Sequence, residues 1–318
     1  MTIRFEGILF FPVTPFTPAG GVDLDLLAEH VSSRLPFSPG GVFPACGTGE
    51  IHALSVNEAA DVVRTTVEVV RRESADSSLP VVAGAGGPLG VALELARAAA
   101  DAGADALLVL PPYLVTGPIA GTVAYVEAIA AATDLPVIVY HRGSAVFTPA
   151  AMAHLARNPK VIGFKDGMGD IGAAQEIALS VRETGREDFQ FFNGLLTAEL
   201  TQGAYRALGM PLYSSAAFAM APEIAVAHYD AYTAGDEERR LALLDVFYRP
   251  LVRLRDQTPG FGVSLIKAGL RLGGLAVGSV RPPLVDPTPT QTDELAAILA
   301  AGTAFVSAGS AVLETARS

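Results

Sequence analysis

A chain of 318 residues with 22 basic against 33 acidic side chains, a formal charge of −11, carries a balance that repels a phosphate backbone. No basic run exceeds pairs such as Arg71-Arg72 and Arg239-Arg240, so no nucleic-acid partner is expected. The single Cys46 excludes an intrachain disulfide framework, and charged or turn residues interrupt every apolar stretch before the roughly 20 residues that cross a bilayer, so no membrane partner is expected either.

Residues 1–7 hold neither a long apolar run nor a small-residue cleavage site, and cytoplasmic residence is the expectation. From Gly7 onward short apolar runs alternate with longer segments of helical period, the pattern of repeated βα units. Eight runs are predicted as strands: residues 8–11, 41–44, 81–84, 106–110, 137–140, 161–165, 189–193 and 211–214. Between them Asp23 is placed to cap a helix reaching residue 34, and Thr148 one reaching residue 157. Ser55 opens a helix reaching residue 72, with Glu58 three residues later completing a capping-box pattern. The Ala-rich stretches 91–102 and 119–132 have high helix propensity.

Eight strands alternating with eight helices predict an α/β fold, a closed (β/α)8 TIM barrel. A doubly wound sheet wants a Gly-rich turn after its first strand, where Pro12-Val13-Thr14-Pro15 stands instead, and Gly84-Ala85-Gly86-Gly87 reads as a tight turn after the third run. After about residue 232 the strand signal stops, and residues 236–255, 261–272 and 292–301 read as helices. Residues 1–232 are therefore expected to form the catalytic barrel and residues 233–318 a C-terminal helical appendage, loosely packed or briefly helical beyond residue 304.

In such a barrel the chemistry sits at the C-terminal ends of the strands. The sixth run ends on Lys165, one of only three lysines beside Lys160 and Lys267. An amine in apolar surroundings loses hydration, its pKa falls, and the neutral form attacks a ketone to give an imine; the competing reading is a strand-end lysine pointing into solvent. Thr48 between Gly47 and Gly49 can offer backbone N–H groups and a hydroxyl to a carboxylate, or can simply turn the chain. Tyr140 can relay protons or be a locally satisfied strand aromatic, and Arg142 can grip a second carboxylate or form a surface ion pair. Tyr113, Asn193, Gly194, Ser214 and Ser215 complete the strand-end set. His30, His52, His141, His154 and His228 lack metal-ligand spacing, and no metal is expected.

Taken together, Gly47-Thr48-Gly49-Glu50, the tyrosine ending strand five and Gly163-Phe164-Lys165-Asp166-Gly167 resemble the pyruvate-dependent class I aldolases related to dihydrodipicolinate synthase and N-acetylneuraminate lyase. Their order and spacing extend the resemblance from Gly7 to about residue 284. Residues 44–50, 163–170 and 213–216, with Val280-Arg281-Pro282-Pro283-Leu284, are similar to the 5-dehydro-4-deoxyglucarate dehydratase branch. In the synthase a second threonine precedes the glycine-flanked one and a second tyrosine follows Tyr113; here Gly47 and Leu114 stand instead, and His141 replaces an asparagine of relatives.

The resemblance implies Lys165 as the imine-forming residue, Tyr140 as the proton relay and Gly47, Thr48 and Gly49 as the ketoacid carboxylate pocket. It further implies Tyr113, Arg142, Asn193, Gly194, Ser214 and Ser215 on the substrate side, facing its hydroxyls or distal carboxylate. A keto-deoxy sugar diacid substrate, no cofactor and a homo-oligomer, tetramer or dimer, follow as expectations. The resemblance implies a decarboxylating dehydratase that works through the lysine imine, with a carbon-carbon-cleaving aldolase and a non-catalytic sugar-acid-binding barrel as the alternatives.

Overall fold

In the computed structural model, which describes residues 3–76 and 78–315, each of the eight expected runs overlaps a strand, and the third, fifth, sixth and eighth strands extend one residue beyond theirs. The chain alternates β1 (Leu9–Phe10), α1 (Leu24–Ser32), β2 (Gly41–Val42), α2 (Val56–Glu73), β3 (Val82–Ala85), α3 (Leu89–Asp101), β4 (Ala106–Val109) and α4 (Ile119–Ala131). It continues through β5 (Val137–His141), α5 (Pro149–Ala156), β6 (Val161–Asp166), α6 (Ile171–Arg182), β7 (Gln190–Asn193), α7 (Gln202–Ala207) and β8 (Leu212–Ser215). The strands pair in parallel in the order β2-β1-β8-β7-β6-β5-β4-β3, and a parallel bridge between Val42 and Val81 joins the two ends into a ring.

The helix starts follow from side chains that satisfy otherwise orphaned N–H groups. Asp23 accepts from Leu26 N, Thr148 from Ala151 N, and Ser55 and Glu58 form the reciprocal capping box. Asp170 caps α6 in the same way, accepting from Ala173 N.

Successive strand residues point to opposite faces, which separates two apolar layers. Leu9, Val82, Leu108, Ile138, Tyr140 and Phe192 fall in the layer filling the ring, with Phe11, Phe43 and Cys46 just beyond the strand ends. Phe10, Ala83, Val109, Val139, Phe164 and Phe191 face the surrounding helices.

After β8 come α8 (Ala217–Met220), α9 (Pro222–Ala234), α10 (Glu237–Leu243), α11 (Arg249–Arg255), α12 (Phe261–Leu272) and α13 (Pro289–Thr315). The helix expected over 236–255 is divided by a π-turn at Leu244–Tyr248, which ends one residue short of Pro250. Proline has no N–H to donate and its ring crowds the carbonyl four residues back, so the chain widens there. The last helix is longer than expected. Pro289 suits a first helical position, and the alanine-rich sequence that follows sustains the helix to Thr315. Leu243, Phe247, Leu254, Leu265, Leu270 and Leu295 join the same apolar cluster as the barrel helices, so the appendage shares the barrel's outer core. Among the described residues no helix is long and apolar enough to cross a membrane.

Candidate active site

Lys165 belongs to the inward-facing set of β6 and is 4% exposed. Its Nζ lies 4.0 Å from the centroid of the Tyr140 ring and 5.2 Å from that of Phe11. Phe11 is itself held by a stacked contact with Phe43, centroids 4.5 Å apart and planes at 16°. Burial lowers the lysine pKa below its ordinary value, against the opposing pull of Tyr140. The two aromatic faces can interact with the protonated form by cation–π attraction, so the amine is dehydrated without being isolated from all stabilisation.

Tyr140 lies beside Lys165 in the β5–β6 register. Its hydroxyl donates to Gly194 O at 2.8 Å and accepts from Arg142 Nη1 at 2.9 Å. Burial raises the phenol pKa, but the cations of Lys165 and Arg142 together outweigh it and leave the phenol below its ordinary value. Arg142 therefore reaches Tyr140 directly.

Gly194 packs against the amine. A Cβ there would lie 2.6 Å from Lys165 Cγ and 2.7 Å from Nζ, a space only glycine leaves open. The next strand residue, Asp166, points outward and accepts from Met168 N at 3.0 Å, from Gly169 N at 3.3 Å and from the Tyr205 hydroxyl, which shapes the loop after β6.

The Gly47-Thr48-Gly49 turn springs from Cys46, which lies in the inner layer within electrostatic reach of Lys165. Gly47 is exposed and Thr48 half-buried, while Gly49 is buried with its carbonyl accepting from Thr14 Oγ1 at 2.7 Å. Ala45 and Glu50 flank the turn in the left-handed region at φ 48° and 56°. Ser214 lies in register with inward-facing Leu9 and is half-buried. Tyr113, 66% exposed, lies in the loop after β4, which Ser144 Oγ ties to the loop after β5 by donating to Pro112 O at 2.9 Å.

The side chains of Asn193 and Ser215 turn away from this cluster. Asn193 is paired with outward-facing Asp166, and its amide donates to Ala198 O, Thr201 Oγ1 and Gln202 Oε1 while its oxygen accepts from Leu195 N. Ser215 is paired with outward-facing Phe10 and donates to Glu199 Oε1 at 2.5 Å. His141 also points outward, with Nδ1 accepting from Phe147 N at 3.1 Å, so it lines the outer layer in place of the pocket edge. Phe11 escaped the sequence reading because an apolar strand residue carries no polar signal, and only strand parity reveals that it faces the amine.

The family model for the dihydrodipicolinate synthetase family matches residues 4–302. A Streptomyces coelicolor protein named "Probable 5-dehydro-4-deoxyglucarate dehydratase 1" is 50% identical over 96% of this chain and 95% of its own. A protein of Streptomyces griseus subsp. griseus named "Probable 5-dehydro-4-deoxyglucarate dehydratase" is 51% identical over 94% of this chain and 92% of its own. Among solved structures, dihydrodipicolinate synthase from Oceanobacillus iheyensis superposes with a TM-score of 0.84 at 27% identity, covering 93% of this chain and 96% of the other. The barrel, the buried lysine with its tyrosine and these matches agree: the chain belongs to the dihydrodipicolinate synthetase family, beside members named for 5-dehydro-4-deoxyglucarate dehydration.

Proposed function

We propose that the protein is a decarboxylating dehydratase that converts 5-dehydro-4-deoxy-D-glucarate to 2,5-dioxopentanoate, water and carbon dioxide through an imine on Lys165. The observation that carries this reading is the buried Lys165 amine between two aromatic rings, next to a phenol whose hydroxyl an arginine contacts. The names of the half-identical relatives supply the substrate.

Neutral Lys165 adds to the ketone beside the first carboxylate, and loss of water gives a protonated imine. The imine draws electrons from the neighbouring methylene, which loses a proton to a base; Tyr140 as phenolate, held by Arg142 Nη1, is suited to that transfer. The enamine then expels the β-hydroxyl as water. The resulting conjugated imine extends the electron demand to the carbon bearing the second hydroxyl, and the bond from that carbon to the distal carboxylate breaks with release of carbon dioxide. The enol left behind becomes an aldehyde, and hydrolysis returns the amine.

Gly47, Thr48 and Gly49 are assigned to the first carboxylate, and the other N–H groups of Arg142 to the distal one. Ser214 is assigned to a substrate hydroxyl, and Asn193, Gly194 and Ser215 to backbone contacts. Tyr113 would close over the mouth. All these residues fall within 1–232, proposed as the catalytic barrel that helices of 233–318 brace. Cytoplasmic residence fits the single buried Cys46. A homo-oligomer fits the exposed Tyr113, Leu114 and Val115 at the mouth, and sedimentation of the intact chain tests it.

Incubation with the keto-deoxy diacid is expected to release carbon dioxide and 2,5-dioxopentanoate in equal amounts, and Lys165→Ala to release neither. Pyruvate or a hydroxypyruvate-like fragment as product would instead establish an aldolase.

A further inference from the structure

The turn that carries Thr48 is held in place from the far end of the chain. Glu50, the last residue of the turn, and Lys267 on α12 form an ion pair at 2.6 Å with both side chains at 0% exposure. The second carboxylate oxygen of Glu50 accepts from the backbone N–H of Arg281 at 2.9 Å. Lys267 also donates to Ser279 O at 3.0 Å and lies 3.9 Å from the centroid of Phe16, on which the Arg281 guanidinium packs at 4.2 Å. Arg281 reaches on to Glu58 at 2.6 and 3.0 Å, to Ala53 O at 2.8 Å and to Gly20 O at 2.6 Å.

A fully desolvated ion pair is a poor source of net stability, because dehydrating two charges offsets most of their attraction. Its geometry nonetheless bears on one local conformation. Ala45 and Glu50 both adopt left-handed backbone at φ 48° and 56°, which is strained for a non-glycine residue and persists only where the surroundings enforce it. Between them Gly49 packs so closely that a Cβ would lie 2.9 Å from Ala45 N. The turn is thus tightly wound at one end and anchored by a buried carboxylate at the other.

We infer that the Glu50–Lys267 pair is a positioning device for substrate carboxylate binding: from α12 it sets the left-handed turn that presents the Gly47, Thr48 and Gly49 backbone to the barrel mouth. Neither residue touches the reacting atoms; both act through the turn. This rests on the imine reading given above, which places a ketoacid carboxylate at that turn.

Two variants test it. Glu50→Gln/Lys267→Met removes both charges together and leaves no unpaired buried ion, while Lys267→Arg keeps the cation with a different reach. The readout is the pyruvate concentration that half-saturates borohydride-dependent labelling of Lys165, measured beside KM and kcat for the keto-deoxy diacid and a thermal melt. In folded double variant the half-saturating concentration and KM are expected to rise on the order of tenfold, the scale of a sub-ångström to ångström misplacement, while labelling at saturating pyruvate persists. Lys267→Arg is expected to show a smaller rise. A folded double variant with the wild-type half-saturating concentration overturns the inference, as does loss of labelling at saturation with that concentration unchanged. Should the double variant fail to fold, Lys267→Arg decides alone, and an unchanged value there overturns it. Absence of labelling in the wild type would instead overturn the imine reading, and this inference with it.

Discussion

Lys165 is placed where two opposing effects meet. Removing water from the amine favours the neutral nucleophile, whereas the faces of Tyr140 and Phe11 favour the cation, so the residue is dehydrated yet still able to carry the positive charge of a protonated imine. The pH consequence has a definite sign. Imine formation needs the neutral amine, so the labelling rate with pyruvate is expected to climb with pH along a limb lying below the ordinary lysine value of 10.5. Tyr140→Phe keeps the ring under Nζ but removes the hydroxyl that joins Gly194 O and Arg142. Turnover is expected to fall by roughly 10²–10⁴ with an unchanged melt, while imine trapping survives. Gly194→Ala places a methyl 2.7 Å from Nζ and is expected to suppress trapping itself, which peptide mass spectrometry would show.

At the scale of strands and turns, parity decides which polar residues can meet a substrate. Asn193 lies on the outer face of β7, where its amide knits β7 to Thr201 and Gln202. Asn193→Ala is therefore expected to lower stability by about 1–3 kcal/mol, the cost of orphaning buried partners, and to leave KM near its wild-type value. A large rise in KM with unchanged stability would contradict that placement. The same parity explains what the amino-acid sequence disclosed. Lys165 was legible as one of three lysines, closing an apolar run, whereas Tyr140 ended another run as one of eight tyrosines and drew its role from the resemblance. The caps at Asp23, Ser55 and Thr148 were legible because each places an acceptor before a periodic stretch. Asn193 and Ser215 each lie one residue from an inward position, and a strand end read without its register does not say which of two neighbours faces in. Phe11 and Lys267 gained their significance only through contacts between segments far apart in the chain, and so did the anchoring contact of Glu50, whose place in the glycine-flanked motif was visible from the start.

Over the whole molecule, the closed ring gives the site its buried, largely apolar interior and the C-terminal helices complete the outer core around it. That burial leaves several ionisable groups with shifted pKa values. Burial raises Glu199 to about 7, against the hydroxyls of Ser215 and Tyr248, compared with 4.5 for an ordinary glutamate. A carboxyl raised in the folded state contributes stability that is fully present below 4.5 and lost as pH rises through about 7. His30 and His228, lowered mainly by burial to about 3 and about 4, act in the opposite sense: their contribution is present above 6.5 and lost as pH falls. Glu199→Gln shares those histidines, so the wild-type minus variant difference isolates the carboxyl. It is expected to shift against the wild type by about 3 kcal/mol between pH 4 and pH 8 in denaturant titrations, and a pH-independent difference would contradict the burial argument.

The covalent role of the Lys165 amine is tested most directly by borohydride reduction in the presence of pyruvate, followed by digestion and peptide mass spectrometry. The structure leads to a single reduced adduct on the peptide containing Lys165, absent from Lys165→Ala. An adduct on Lys160 or Lys267, or turnover of the keto-deoxy diacid with Lys165 unmodified, would contradict it.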